Sequence, residues 1–211
     1  MQETDLKDIV TKIVRDVVAE AEGEPEIPVE MSARHVHLSQ EDVEALFGKG
    51  ATLNFKRNLT LPGFVCEERV SIVTPKGSMK NVAVLGPVRD HTQVEVSAAD
   101  AFALGIKPPV NISGNFKNAE DVYLVGPAGM ICAKETAIIA QAHIHMGPDN
   151  AEEMGFKDKE IVRVKVLGAR PIIMENVMIR VGEGMFPMMH IDMDEANACG
   201  YESARKAVIL R

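Results

Sequence analysis

The sequence predicts a mainly β protein of β-barrel architecture, capped by short α-helices and built on an internal strand-helix repeat. Many short β-branched runs are separated by Pro and Gly turn signals, strands do not alternate regularly with long helices, and one pattern recurs four times along the chain. With 211 residues, 46% of them hydrophobic, the chain can build a core in one compact domain or in two small halves that share an interface.

In residues 1–20, Leu6, Ile9, Val10, Ile13, Val14, Val17 and Val18 recur at helical spacing. Lys7, Asp8, Thr11, Lys12, Arg15 and Asp16 fill the other face, so a short amphipathic helix is expected. It can pack on its own domain or dock in a partner's groove. Asp5, Asp8 and Asp16 offset the local cations and disfavour a membrane-surface role. Residues 21–28 combine glycine, prolines and like charges and read as a flexible linker. Strands are expected at Val70–Thr74, Asn81–Leu85, Gln93–Val96, Val122–Val125, Ala137–Ala140, Glu160–Val166, Ile172–Met174 and Asn176–Val181. Pro75-Lys-Gly77, Pro127-Ala-Gly129 and Gly182-Glu-Gly184 mark turns between them.

The repeated pattern appears at His37-Leu-Ser39, Glu95-Val-Ser97, His145-Met-Gly147 and His190-Ile-Asp192. In each copy a cap residue is followed three positions later by Asp42, Asp100, Asn150 or Glu195, and a glycine (Gly48, Gly105, Gly155, Gly200) closes the unit. A strand running into a capped helix of one or two turns, stopped by glycine, explains the spacing. Two residues before every cap stands His or Glu, at the end of a strand and beside a helix N-terminus.

Residues i and i+2 of a strand share a face, so His35 with His37, and His143 with His145, can each converge on one centre. The repeat adds Glu95 and His190 at equivalent positions. Five His and one Glu exceed the ligands of a single zinc, which leaves two metals, or one metal and a second cation site. Imidazole and carboxylate without thiolate suit Zn²⁺ first, with Co²⁺, Ni²⁺ or Mn²⁺ as substitutes. His91 lies outside the repeat and reads as a loop residue. Arg89, delivered by a turn six residues before Glu95, either grips phosphate or carboxylate bidentately or pairs with Asp90.

The net charge of −8 and an aromatic content of 4% argue against a nucleic-acid partner. No apolar run reaches the ~18 residues of a membrane span, and the charged N-terminus does not read as a signal peptide. The three Cys (Cys66, Cys132, Cys199) lack CxxC spacing and read as reduced thiols of a cytoplasmic protein, Cys132 and Cys199 filling apolar gaps. Met185, Met188 and Met189 either line an acyl pocket or pack a barrel. There is no P-loop, GxGxxG, GxSxG or HExxH.

Ser32-Ala-Arg-His-Val-His-Leu-Ser39, Gly86-Pro-Val-Arg-Asp-His-Thr-Gln-Val-Glu-Val-Ser97, Ile138-Ile-Ala-Gln-Ala-His-Ile-His-Met146 and Met189-His-Ile-Asp-Met-Asp-Glu-Ala-Asn197 resemble the PduL-type phosphate acyltransferases (phosphotransacylases) of bacterial microcompartments. The match runs in order from Ile27 to the C-terminus. The resemblance implies reversible exchange between short-chain acyl-CoA plus phosphate and acyl phosphate plus CoA, with propanoyl or acetyl as the acyl group. It implies two β-barrels, the first from residues 29–33 plus 141–211 and the second from 34–140, with two Zn²⁺ ions. By position, His35 and His37 would hold one zinc, which the CoA sulfur can approach, and Glu95, His143, His145 and His190 the other. Arg89 would bind phosphate; Ser32, Lys56, Leu85 and Asn197 would contact CoA. Residues 1–20 resemble an encapsulation peptide for shell or core proteins, which places the expected homo-oligomer in a microcompartment lumen. Ala142 and Ala83 stand where family members often carry arginine. A zinc-dependent hydrolase of thioesters or phosphoesters would need the same ligands, and a metal-stabilised shell adaptor is the third class.

Overall fold

The computed structural model describes residues 25–210; the helix expected at 1–20 and the linker as far as 24 lie outside them. The first half of the chain runs β1 (Glu26–Ser32), β2 (His35–His37), α1 (Gln40–Phe47), β3 (Phe55–Asn58), β4 (Phe64–Val73), β5 (Ser78–Gly86), β6 (Gln93–Val96), α2 (Ala98–Leu104), β7 (Val110–Asn111) and β8 (Glu120–Val125). The second runs β9 (Met130–Ala140), β10 (His143–Met146), α3 (Pro148–Met154), β11 (Ile161–Leu167), β12 (Ile172–Val181), β13 (Met188–Asp192), α4 (Met193–Cys199) and β14 (Lys206–Leu210). Without β3, β7 and a 3-10 turn at Tyr201–Ser203 the two halves have the same order of elements.

Pairing closes two six-stranded barrels. One is β1-β13-β10-β12-β11-β14, and the other is β4-β5-β2-β6-β9-β8, where β8 pairs with both β4 and β9; β3 and β7 attach to its flanks. The barrels correspond strand for strand. β2 is parallel to β5 and antiparallel to β6, as β10 is to β12 and β13. β6 lies parallel to β9, as β13 lies parallel to β1. The first strand of each half therefore crosses into the barrel built by the other half. Each barrel encloses its own core, around Ile144, Val164, Ile179 and Met189 in one and Val36, Leu46, Ile72 and Leu124 in the other.

All four expected cap-and-stop units are present. Ser39, Ser97, Gly147 and Asp192 are N-caps, and helices close at Gly48, Gly105, Gly155 and Gly200. Ser97 with Asp100 and Asp192 with Glu195 form reciprocal capping boxes. At α1 the reciprocal bond is replaced: the Ser39 N–H donates to Thr92 Oγ1 (3.0 Å), whose hydroxyl donates to Asp42.

Three expectations are corrected. The linker cannot reach residue 28, because Glu26–Pro28 already pair with Val208–Lys206 in β14. Pro28 is tolerated in the strand because the adjacent Val29 N–H makes the main-chain bond, to Arg205 O at 2.9 Å. Ile172–Met174 and Asn176–Val181 are one strand, since exposed Glu175 pairs with Arg163 on the barrel's outer face instead of breaking the run. Cys132 is exposed on β9, whereas Cys66 and Cys199 are buried; all three are free thiols. No helix among the described residues is long and apolar enough to cross a membrane.

Candidate active site

Strand alternation builds the site on the outside of both barrels. In β2, Val36 points into the core and His35 and His37 point away; in β10, Ile144 and Met146 point inward and His143 and His145 outward. Val94 and Val96 flank Glu95, and Met189 and Ile191 flank His190, in the same way. Register then places His35 opposite Glu95 and His143 opposite His190. The result is two triplets, His35/His37/Glu95 and His143/His145/His190, each with ligand atoms all within 4.8 Å of one another. Glu95 thus sits with the first HxH pair by geometry, where the resemblance had grouped it with the second. Glu95 also acts electrostatically on His143, so the triplets adjoin.

The donor atoms are prepared for a cation. His35 Nδ1–H donates to Ala33 O (2.9 Å) and His143 Nδ1–H to Gln141 O (2.8 Å), which leaves each Nε2 with a free lone pair. His143 Nε2 and His145 Nε2 lie 3.0 Å apart. With His145 Nδ1 against Met185 Sδ at 3.1 Å, two lone pairs face each other across that gap. His37 Nδ1 and His190 Nε2 are buried without a hydrogen-bond partner, although Glu30 lies 3.3 Å from His190. Burial holds His37 down to about 3 and His143 to about 4, and it lowers His145 as well. Burial works to raise Glu95, but His35, His37, a Ser113 hydrogen bond and His143 leave its carboxyl below the usual range. Neutral imidazoles, an ionised carboxylate and orphaned nitrogens fit a divalent metal.

One cavity of about 580 Å³ joins the triplets, and its wall includes Ser32, Lys56, Leu85 and Arg89. Asn197 does not line it; the residue is exposed on α4. Arg89 makes no ion pair with Asp90 and donates to Ser113 Oγ (3.2 Å), and burial lowers its pKa. Gln93, wholly buried, donates to Glu95 Oε1 (2.7 Å) and accepts from the Gly114 N–H (2.8 Å). This fixes the rotamer of Glu95. Arg34, also in the cavity wall, is held in a bidentate pair with Asp100. Met189 packs the barrel core, Met188 is buried on the outward strand face that carries His190, and Met185 lines the cavity. Ala83 lines the cavity too, and Ala142 is buried in the barrel core. His91 stays outside the site, its ring edge-on to Phe116.

Sequence reasoning missed Arg180, Gln93 and Ser113. Gln93 carried one usable signal, its i, i+2 relation to Glu95. Arg180 and Ser113 belong to no motif, and register alone brings Arg180 opposite His145.

Residues 28–202 match the family model described as phosphate propanoyltransferase. Curated relatives named phosphate propanoyltransferase include one from Clostridioides difficile (strain 630), 44% identical over 98% of this chain and 99% of its own. Another, from Thermotoga maritima, is 49% identical over 88% of this chain and 89% of its own. A third, from Priestia megaterium, is 49% identical over 94% and 92%.

Proposed function

The chain belongs to the phosphate propanoyltransferase family and is an acyltransferase, and on that premise we propose a metal-dependent exchange between a short-chain acyl-CoA plus phosphate and an acyl phosphate plus CoA. The observation that carries this reading is the single cavity whose wall holds both metal-ready triplets and Arg89. His35, His37 and Glu95 would hold one ion and His143, His145 and His190 the other, Zn²⁺ first by donor chemistry. Bound there, such ions supply Lewis acidity for a thioester carbonyl.

Arg89 offers a planar fork to phosphate, and Ser113 holds that fork in the wall. A phosphate oxygen forms the new C–O bond to the acyl carbon as the C–S bond breaks. The electron pair leaves on CoA sulfur, which takes a proton from solvent after release. Phosphate is already an anionic nucleophile, so positioning replaces a strong general base. Gln93 keeps Glu95 from rotating away, and the carbonyls of Ala33 and Gln141 keep two imidazole tautomers fixed. Ser32, Lys56 and Leu85 contact CoA from the wall, and Asn197 contacts a part of it outside the cavity. Residues 1–20 serve as an encapsulation peptide, with the enzyme a homo-oligomer in a bacterial microcompartment lumen.

CoA release from propanoyl-CoA and acetyl-CoA, followed by a thiol reagent with and without phosphate, tests the reading. Release should depend strictly on phosphate. Equal release without phosphate would make the protein a thioester hydrolase.

A further inference from the structure

We propose that Arg180 is a second phosphate-binding residue, forming with Arg89 a two-armed clamp on the nucleophile; this rests on the acyltransferase reading above. The register of β10 and β12 sets Arg180 directly beside His145, on the strand face that carries the second triplet. Arg180 is half-buried and lines the same cavity as Arg89. Among the described residues it has no side-chain hydrogen bond and no carboxylate within 4 Å, and Arg89 likewise lacks an ion pair. The two guanidinium groups are close enough to lower one of them, Arg89, by mutual repulsion, on top of the desolvation that lowers both.

The acids acting on Arg180 are Glu95, which belongs to the first triplet, and Asp158. Two desolvated cations kept together without a dedicated counter-ion cost folding energy, and a bound dianion repays it.

The correspondence between barrels points the same way. The position matching Arg180 is Leu85, which stands beside His37 as Arg180 stands beside His145. A barrel strand can hold an apolar side chain at this position, so arginine is not required by the fold. Only the first barrel presents a cation there, and it faces Arg89 contributed by the second. Phosphate is therefore gripped from both halves, which orients one oxygen toward the acyl carbon and uses the fork geometry that a lysine lacks.

The test compares metal-replete full-length wild type with Arg180→Leu and Arg180→Lys. It measures KM for phosphate and for propanoyl-CoA, bound metal, and the phosphate concentration that half-saturates the rise in melting temperature without acyl-CoA. Arg180→Leu should raise both phosphate measures by about tenfold or more while propanoyl-CoA KM stays within about twofold and metal content is unchanged. Arg180→Lys should give an intermediate rise. A phosphate KM unchanged in Arg180→Lys overturns the clamp even where Arg180→Leu fails to fold. A rise confined to propanoyl-CoA KM assigns Arg180 to CoA instead, and loss of metal makes it a support of His145; both overturn the proposal. Phosphate-independent release by wild type would mark failure of the acyltransferase reading itself.

Discussion

His37 and His143 are held neutral by burial, and this sets how the site responds to acid. In an unfolded chain these imidazoles take up protons near their ordinary value of 6.5, whereas in the folded protein they do so only near about 3 and about 4. Between those limits the unfolded state binds more protons, so their contribution to stability is complete above pH 6.5 and is lost as pH falls toward 4. Melting of chelator-treated protein should therefore shift downward progressively between pH 6.5 and pH 4. Glu195, raised by burial to about 7, contributes with the opposite sign, so a melting temperature that stays flat over that interval in Glu195→Gln as well would mean that these rings are solvated and protonate freely. The same depression leaves imidazole lone pairs free of proton competition at neutral pH, which favours metal capture.

At the scale of elements, the caps and the HxH pairs were legible because each obeys a local rule. A cap, an acid three residues on and a closing glycine need no knowledge of neighbours, and neither does the i, i+2 face of a strand. What escaped depended on pairing. β1 overruns a stretch rich in proline and glutamate because β13 and β14 lie on either side of it. β3 is exposed along its whole length and β7 has two residues, so neither carries an alternation to read. Arg180 was invisible for the same reason: its role comes from being beside His145, a fact of register. The grouping of Glu95 with His35 and His37 also follows from the β2–β6 register and from nothing in the spacing of the residues.

For the whole molecule, the exchanged strands make the halves interdependent. The first barrel takes β1 from the first half and its other strands from the second; the second barrel takes β9 from the second half and the rest of its ring from the first. A half on its own leaves a barrel open along two strand edges. Cutting the chain in the β8–β9 turn, after Pro127, should give fragments that do not fold cooperatively alone but recover β-rich circular dichroism as a one-to-one complex when refolded together. Cooperative unfolding of either fragment by itself would contradict this dependence. The same arrangement resolves the charge problem of an acidic protein with anionic substrates. Although the net charge is −8, the cavity wall gathers Arg34, Lys56, Arg57, Arg69, Arg89 and Arg180 against Glu30, Glu95 and Asp192. Attraction is local to the junction of the barrels, where the triplets lie.

On the proposed reading each barrel contributes one metal-holding triplet to this junction. Metal analysis of zinc-reconstituted, desalted protein tests it most directly. Wild type should bind about two ions per chain, and either His37→Ala or His190→Ala about one. A single ion in wild type, lost completely in both variants, would show one shared centre in place of two.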